Sequence, residues 1–246
     1  MFVHDLRRSV KKNRSSFLLH RCYIRTLFPI KGNETVSVML TEFEPTYPIP
    51  RRLETKRLIL RQFDMKDAEE YYDLEQEGLK LHMAEFMPGI PDTGLRGEGI
   101  REMREKIRTT IDKWESDSEY RFLIREKGNE AIIGQIAVTS IIRNVAQSAF
   151  IGYWIGSHWL NKGYATEATA AMLAFAFDNL KLHRISIWIA PENAASLRVV
   201  QKLNVRFEGT ALRSLFQGGK WADTHIFAIT SEEWIERKNE ITNFYL

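Results

Sequence analysis

The stretch Tyr153–Ala170, YWIGSHWLNKGYATEATA, decides how the rest of the chain is read. Just before and into it, Ala149 to Ile155 is short and apolar, with the length of a buried strand. Gly156 and Ser157 break that strand, a turn carrying Asn161, Lys162 and Gly163 follows, and Ala165 to Leu180 is a strongly helical run. Strand, turn and helix in this order present free N–H groups at the helix start, backed by the positive end of the macrodipole. Such a turn is an anion site, and Lys162 and Gly163 stand where a phosphate would lie. Nucleotide hydrolases require a Gly-Lys-Ser/Thr string, whereas here Lys precedes Gly, and a dinucleotide G-x-G-x-x-G is missing. Gly163 taken alone reads first as a plain glycine-capped turn; the residues around it reverse that reading.

Gly152, Tyr153, Trp154, Trp159, Lys162, Gly163, Tyr164, Ala165, Thr166, Glu167 and Ala168 fall in register with a pattern G-Y-W-(x)n-W-x-x-K-G-Y-A-T-E-A. The string resembles the acetyl-coenzyme A loop of the GNAT acetyltransferases, most closely the RimJ/RimL-like branch. Two other strings agree with that resemblance. Thr55-Lys-Arg-Leu-Ile-Leu-Arg61 is similar to the branch's E-T-x-R-L-x-L-R opening, and Asn193-Ala-Ala-Ser-Leu-Arg-Val-Val-Gln-Lys-Leu203 to its N-x-x-S-x-x-V-x-x-K-L-G-F. There are departures. Leu160 stands where the general loop has Gln or Arg, and the closing Gly-Phe is Asn204-Val205. Asn can take the left-handed position that glycine usually fills at a helix end. The resemblance implies acetyl-coenzyme A as co-substrate, its pyrophosphate on Lys162, Gly163, Tyr164, Ala165 and Thr166 and its pantetheine along Trp154–Ile155. It also implies contacts from Asn193, Ser196 and Lys202; by residue type alone, Asn193 is a helix N-cap and Ser196 a small polar helix residue.

The chain has 246 residues, enough for one sizeable core or two small ones. Its longest apolar run, Ala168 to Phe177, is too short for a membrane span, so no membrane role is expected. The single cysteine, Cys22, excludes an internal disulfide framework, and the six histidines show no metal-ligand spacing. No metal is expected, and a reducing compartment, the cytoplasm, is. The net charge of +3 hides an asymmetry: residues 1–38 hold eight basic and two acidic residues, the remainder 27 basic and 30 acidic. Direct nucleic-acid binding by the whole protein therefore loses its main support.

Residues 1–50 read as a basic, poorly ordered extension closed by a linker with Pro45, Pro48 and Pro50, with Met39 resembling a natural start. A targeting or docking arm is the alternative for the leader. Residues 51–246 read as the GNAT domain. The first strand begins near Thr55, with Leu58, Leu60 and Gln62 opposed to a mostly polar face of Arg57, Ile59 and Arg61. Asp64 caps a helix over Met65–Leu79, and a second helix spans Gly99–Trp114. Strands are expected over Tyr120–Glu126, Ala131–Ile142 and Gln147–Gly156, then over Arg184–Ala190, Arg206–Phe216 and Trp221–Thr230. A helix from Pro191 to Leu203 and a closing helix capped by Ser231 complete the order. The fold class is α/β in the α+β sense: a mostly antiparallel mixed sheet with helices on both faces, as in the GNAT fold.

Acetyl transfer to an amine needs a neutral amine, a stabilised oxyanion and a proton for the departing thiolate. A main-chain N–H on the Gly152–Ile155 strand is the expected oxyanion donor. Ser196 is the proton donor that the resemblance implies; the tyrosine used by many GNATs four residues later is Val200 here. Tyr153, Glu85 and Asp223 are candidates for the substrate side, and Asp223 also suits a structural hydrogen bond on a strand. An α-amine titrates near ~8 and lysine near ~10.4, so deprotonating the former costs about 3 kcal/mol less at neutral pH. A site without a strong base therefore suits a protein amino-terminus, and the resemblance points to ribosomal proteins. A small amine (polyamine, aminoglycoside, amino acid) is the rival acceptor, and a catalytically silent coenzyme A-binding module the rival class. Oligomeric state is not readable from the sequence.

Overall fold

The computed structural model describes residues 45, 47–83, 96–217 and 219–246, with the side chains of 82, 83 and 217 excepted. The expectations for the leader and for Glu85 lie outside these residues. Ile49 packs against the main core, so the ordered domain includes part of the stretch read as linker.

Eight strands form one sheet in the order β1-β2-β3-β4-β5-β6-β8-β7. They are β1 (Arg52–Glu54), β2 (Leu58–Gln62), β3 (Tyr120–Glu126), β4 (Ile132–Ile142), β5 (Ser148–Ile155), β6 (Arg184–Ile189), β7 (Arg206–Gln217) and β8 (Lys220–Thr230). Helices α1 (Ala68–Gly78), α2 (Arg96–Glu115), α3 (Tyr164–Ala174), α4 (Ala194–Lys202) and α5 (Ser231–Tyr245) complete the described elements of length. Every neighbouring pair of strands is antiparallel except β5 and β6. That one parallel pair follows from the β5–α3–β6 crossover, which a helix must bridge.

Side-chain alternation sorts the residues of each strand onto two faces. Ala149, Ile151 and Ile155 of β5 join the core beneath α3, α4 and α5, together with Leu58, Leu60, Phe122, Ile136 and Val200. Trp154 turns the opposite way and packs with Tyr71, Tyr72, Ile100, Met103 and Leu123 beneath α1 and α2. Leu58 and Leu60 are buried on one face, and on the other Ile59 is buried between an exposed Arg57 and a half-buried Arg61. The strand is interior to the sheet because β1, a hairpin partner not foreseen, pairs with it.

Most boundaries agree to within a few residues, with local exceptions. The α3 run loosens into a π turn at Phe175–Asn179. Asp64 caps a 3₁₀ turn that leads into α1 and forms a reciprocal box with Asp67. The α5 cap is Thr230 and not Ser231: the Thr230 hydroxyl accepts from Glu233 N–H while the Glu233 carboxylate accepts from Thr230 N–H. Asn204 takes a left-handed φ of 48° at the end of α4, as expected of an asparagine replacing the usual glycine.

Candidate active site

Strands β5 and β6 are in register over Ser148–Phe150 and Arg184–Ser186 only. Beyond those residues both strands continue but no longer pair, so the sheet forks. The Gly156 N–H bonds the Ile133 carbonyl at 2.8 Å, which turns the main-chain groups of Trp154 and Gly152 toward β4. By the same alternation the Tyr153 N–H is aimed into the fork, on the strand where the oxyanion donor was expected.

The turn after the fork ends in Gly163, at φ 81° and ψ 4°, a left-handed conformation that any residue with a Cβ resists. No side chain caps the start of α3. The Gly163 carbonyl accepts from Glu167 N–H at 3.1 Å, and among the described residues no main-chain acceptor takes the N–H groups of Tyr164, Ala165 or Thr166. Three successive amides therefore remain available at the positive end of a buried helix. Lys162 is exposed beside them, whereas Tyr164 and Thr166 are buried and Ala165 half-buried. Tyr164 donates its hydroxyl to the Glu126 carboxylate, so that ring anchors the turn to the end of β3.

Two residues, Arg57 and Glu167, hold this turn through contacts that the sequence did not reveal. Glu167, 2% exposed, receives the Thr55 hydroxyl at 2.5 Å, the Arg57 N–H at 2.8 Å and the Arg57 Nε at 2.7 Å. Arg57 Nη1 donates to the Lys162 carbonyl at 2.9 Å, and the guanidinium lies 4.7 Å from the Tyr164 ring centre. The opening string at Thr55 and the loop string at Glu167 are thus one structure, joined across more than a hundred residues of sequence. Signs of this contact were present only as two separate motifs, each with one unexplained polar residue.

Across the fork, Tyr153 and Ser196 meet. Burial pushes the Tyr153 phenol up to about 12, with the Ser196 hydroxyl acting in the opposite direction. The Tyr153 Oη is shielded from solvent, and its geometry to Ser196 falls short of a formed hydrogen bond. At neutral pH both hydroxyls carry their protons, so this pair can donate and cannot serve as a strong base.

Other expected site residues fall elsewhere. Trp154 is a correction: its side chain, 5% exposed, lies in the core on the α1–α2 side, 5.7 Å from the Tyr71 ring, because it alternates with Tyr153. Ile155 is buried on the α3 side. Asn193 caps α4, accepting from Ser196 N–H at 3.0 Å, so its carboxamide oxygen is committed to the helix. Lys202 is exposed in the last turn of α4. Six residues of helix place it about 120° around the axis from Ser196 and ~9 Å along it, so Ser196 and Lys202 stand on different sides of α4. Asp223 accepts from the Arg213 N–H at 2.8 Å, the structural role that suited it. Among the described residues no cluster of His, Cys, Asp and Glu could hold a metal, and no helix is long and apolar enough to cross a membrane.

Comparison with known proteins agrees with this geometry. Residues 57–206 match the model of the acetyltransferase (GNAT) domain. The Bacillus subtilis (strain 168) protein named Probable N-acetyltransferase YjcK is 33% identical over 181 residues, which cover 74% of this chain and 98% of that one. The [Ribosomal protein uS5]-alanine N-acetyltransferase of Escherichia coli (strain K12) is 25% identical over 183 residues, covering 74% and 92% respectively. Among solved structures, Mycobacterium smegmatis RimJ in complex with CoA-disulfide superimposes with a TM-score of 0.67 at 23% identity, over 79% of this chain and 97% of that chain, a likeness of fold. A forked mixed sheet, a left-handed glycine before an uncapped buried helix, and a family match spanning both make the chain a member of the GNAT family and an N-acetyltransferase.

Proposed function

We propose that the protein transfers acetyl from acetyl-coenzyme A to the α-amino group of a protein amino-terminus, a ribosomal protein being the favoured acceptor, in the cytoplasm. The observation that carries this reading is the unclaimed run of amides at Tyr164, Ala165 and Thr166, set behind Gly163 at the mouth of the fork. Those groups fit the diphosphate of the donor, with Lys162 adding charge from outside. The pantetheine arm would follow the β5 edge, where the main chain of Tyr153 faces the fork and replaces the strand pairing that β6 no longer supplies.

Each catalytic requirement then has a resident of this chain. On this reading the Tyr153 N–H, aimed into the fork, donates to the developing oxyanion. On the same reading the Tyr153 and Ser196 hydroxyls give the departing thiolate a proton, which the raised phenol keeps throughout the neutral range until then. Neither group is a base, so the amine must arrive neutral largely through its own acidity. That favours an α-amine over a lysine side chain by about 3 kcal/mol at neutral pH. The similarity to a ribosomal-protein-alanine acetyltransferase supports the same acceptor class.

Thiol release from acetyl-coenzyme A, measured with peptides bearing free Ala or Ser amino-termini and with spermidine and N-acetyl-lysine amide in parallel, tests the reading. Turnover confined to the amino-terminal peptides is expected. Turnover on spermidine alone would replace the acceptor, and coenzyme A binding with no turnover on any amine would leave a silent module.

A further inference from the structure

We propose that Arg57, which immediately precedes β2, is the positioning residue that turns the Lys162–Tyr164 segment into a diphosphate-selective amide cradle. The inference rests on the coenzyme A reading above and adds what makes that turn competent. In a trans peptide the C=O and the following N–H point in opposite directions. The Lys162 carbonyl is held by Arg57 Nη1 at 2.9 Å, so the Gly163 N–H of that peptide points away from the guanidinium. The Gly163 carbonyl is held by Glu167 N–H at 3.1 Å, so the Tyr164 N–H points away from the helix. With both carbonyls drawn into the protein, successive amides at a left-handed and then a helical residue face the same side, the geometry of an anion-binding nest.

Arg57 is suited to holding this peptide and is not suited to gripping the anion itself. Its charge is already met by Glu167 at 2.7 Å, and Glu167 is in turn saturated by the Thr55 hydroxyl and the Arg57 N–H. The planar guanidinium reaches the carboxylate through Nε and the carbonyl through Nη1 while lying over the Tyr164 ring. A lysine ammonium is a point charge that cannot keep all three relations at once. A Cβ on Gly163 would come into van der Waals contact with Arg57 Nη2, at 3.5 Å, so the guanidinium lies on the side of the turn that a substituent there would occupy.

The test compares two acetyl donors, acetyl-coenzyme A and S-acetyl-pantetheine, which lacks the diphosphate. Wild-type protein should prefer acetyl-coenzyme A in kcat/KM. Both Arg57→Lys and Arg57→Ala should raise KM for acetyl-coenzyme A by about tenfold or more, with kcat within about twofold, as expected when an interaction with the bound donor weakens and the chemistry does not. The preference over S-acetyl-pantetheine should fall by the same factor. Glu167→Gln, which puts an amide donor against the Arg57 Nε, should reproduce the Arg57→Lys result. An equal loss with both donors, tracking a lower melting temperature, would reduce Arg57 to a structural residue. Undiminished preference in Arg57→Ala would remove the clamp alone, whereas a wild-type protein indifferent to the diphosphate would remove the reading beneath it.

Discussion

Two helix starts in this molecule are built in opposite ways. At α5, Thr230 and Glu233 satisfy each other's main-chain donors, and Glu233 continues through Arg206 and Glu208 to Arg184, an ion-pair chain that ties the helix to the sheet. At α3 there is no side-chain cap, and the residue in the cap position is a left-handed glycine. Ordinary helix stability favours the first arrangement, because a side-chain cap contributes about 1 kcal/mol that the second gives up. The protein invests its polar side chains at α3 one layer back, where Arg57, Thr55, Glu126 and Glu167 fix carbonyls and rings and leave the amides alone. A helix start secured from behind and left bare in front is arranged for a ligand.

The largest break in that contrast should come from Gly163→Val. A left-handed β-branched residue costs about 1–2 kcal/mol of strain, and its methyls would crowd the amides. Affinity for coenzyme A by calorimetry should fall by about 100-fold, the equivalent of losing one strong charge-assisted hydrogen bond. A variant that melts cooperatively and binds as tightly as the wild type would contradict the loop assignment.

Next in size is Tyr153→Phe, which removes a proton donor and leaves the main-chain N–H in the fork. We expect kcat to fall by about 10- to 100-fold with little change in KM for acetyl-coenzyme A. The pH profile sharpens the assignment. The rate should rise with pH through the acceptor amine near ~8, and no descending limb from the phenol should be seen below about 12, because burial holds its proton that far. A Tyr153-dependent decline near pH 9–10 would show the phenol to be solvated and unshifted.

At the other helix start the effect should be on stability alone. Thr230→Ala should cost about 1 kcal/mol in denaturant unfolding and leave both kinetic constants unchanged. An altered KM for acetyl-coenzyme A would mean the two starts are not functionally separate. The smallest effect belongs to the ion-pair chain behind α5. Arg184 chiefly, with Arg206, holds the Glu208 carboxyl down at about 2, below its ordinary 4.5. Such a group adds stability that is fully present above pH 4.5 and is lost as pH falls toward 2. Glu208→Gln should therefore flatten the acid limb of stability in that window; an unchanged limb would show the pair to be screened by solvent.

Strand and helix order was legible because each element carries its own period and its own punctuation, and the turn before α3 was legible because its glycine and helix-start signals are local to Lys162–Thr166. What the sequence concealed was long-range. Arg57 and Glu167 are each ordinary motif letters until the fold puts them 2.7 Å apart. Trp154 stands beside Tyr153 in the chain and on the opposite face of the sheet, a distinction that turns on which side of β5 receives α3. Lys202 follows Ser196 by six residues in one motif, and 3.6 residues per turn carries it off the side of α4 that Ser196 occupies. Thr230 and Ser231 are both good caps by type, and the backbone alone decides between them: Thr230 is extended at φ −99° and Ser231 already helical.

The amides of the two helix starts can be watched directly by nuclear magnetic resonance on uniformly ¹⁵N-labelled, deuterated protein titrated with coenzyme A and, separately, with pantetheine. Coenzyme A should move the resonances of Gly163, Tyr164, Ala165 and Thr166 strongly and those of Ser231 to Glu233 hardly at all, while pantetheine should leave the α3 start in place. Saturation by coenzyme A with those four resonances unmoved would contradict the account.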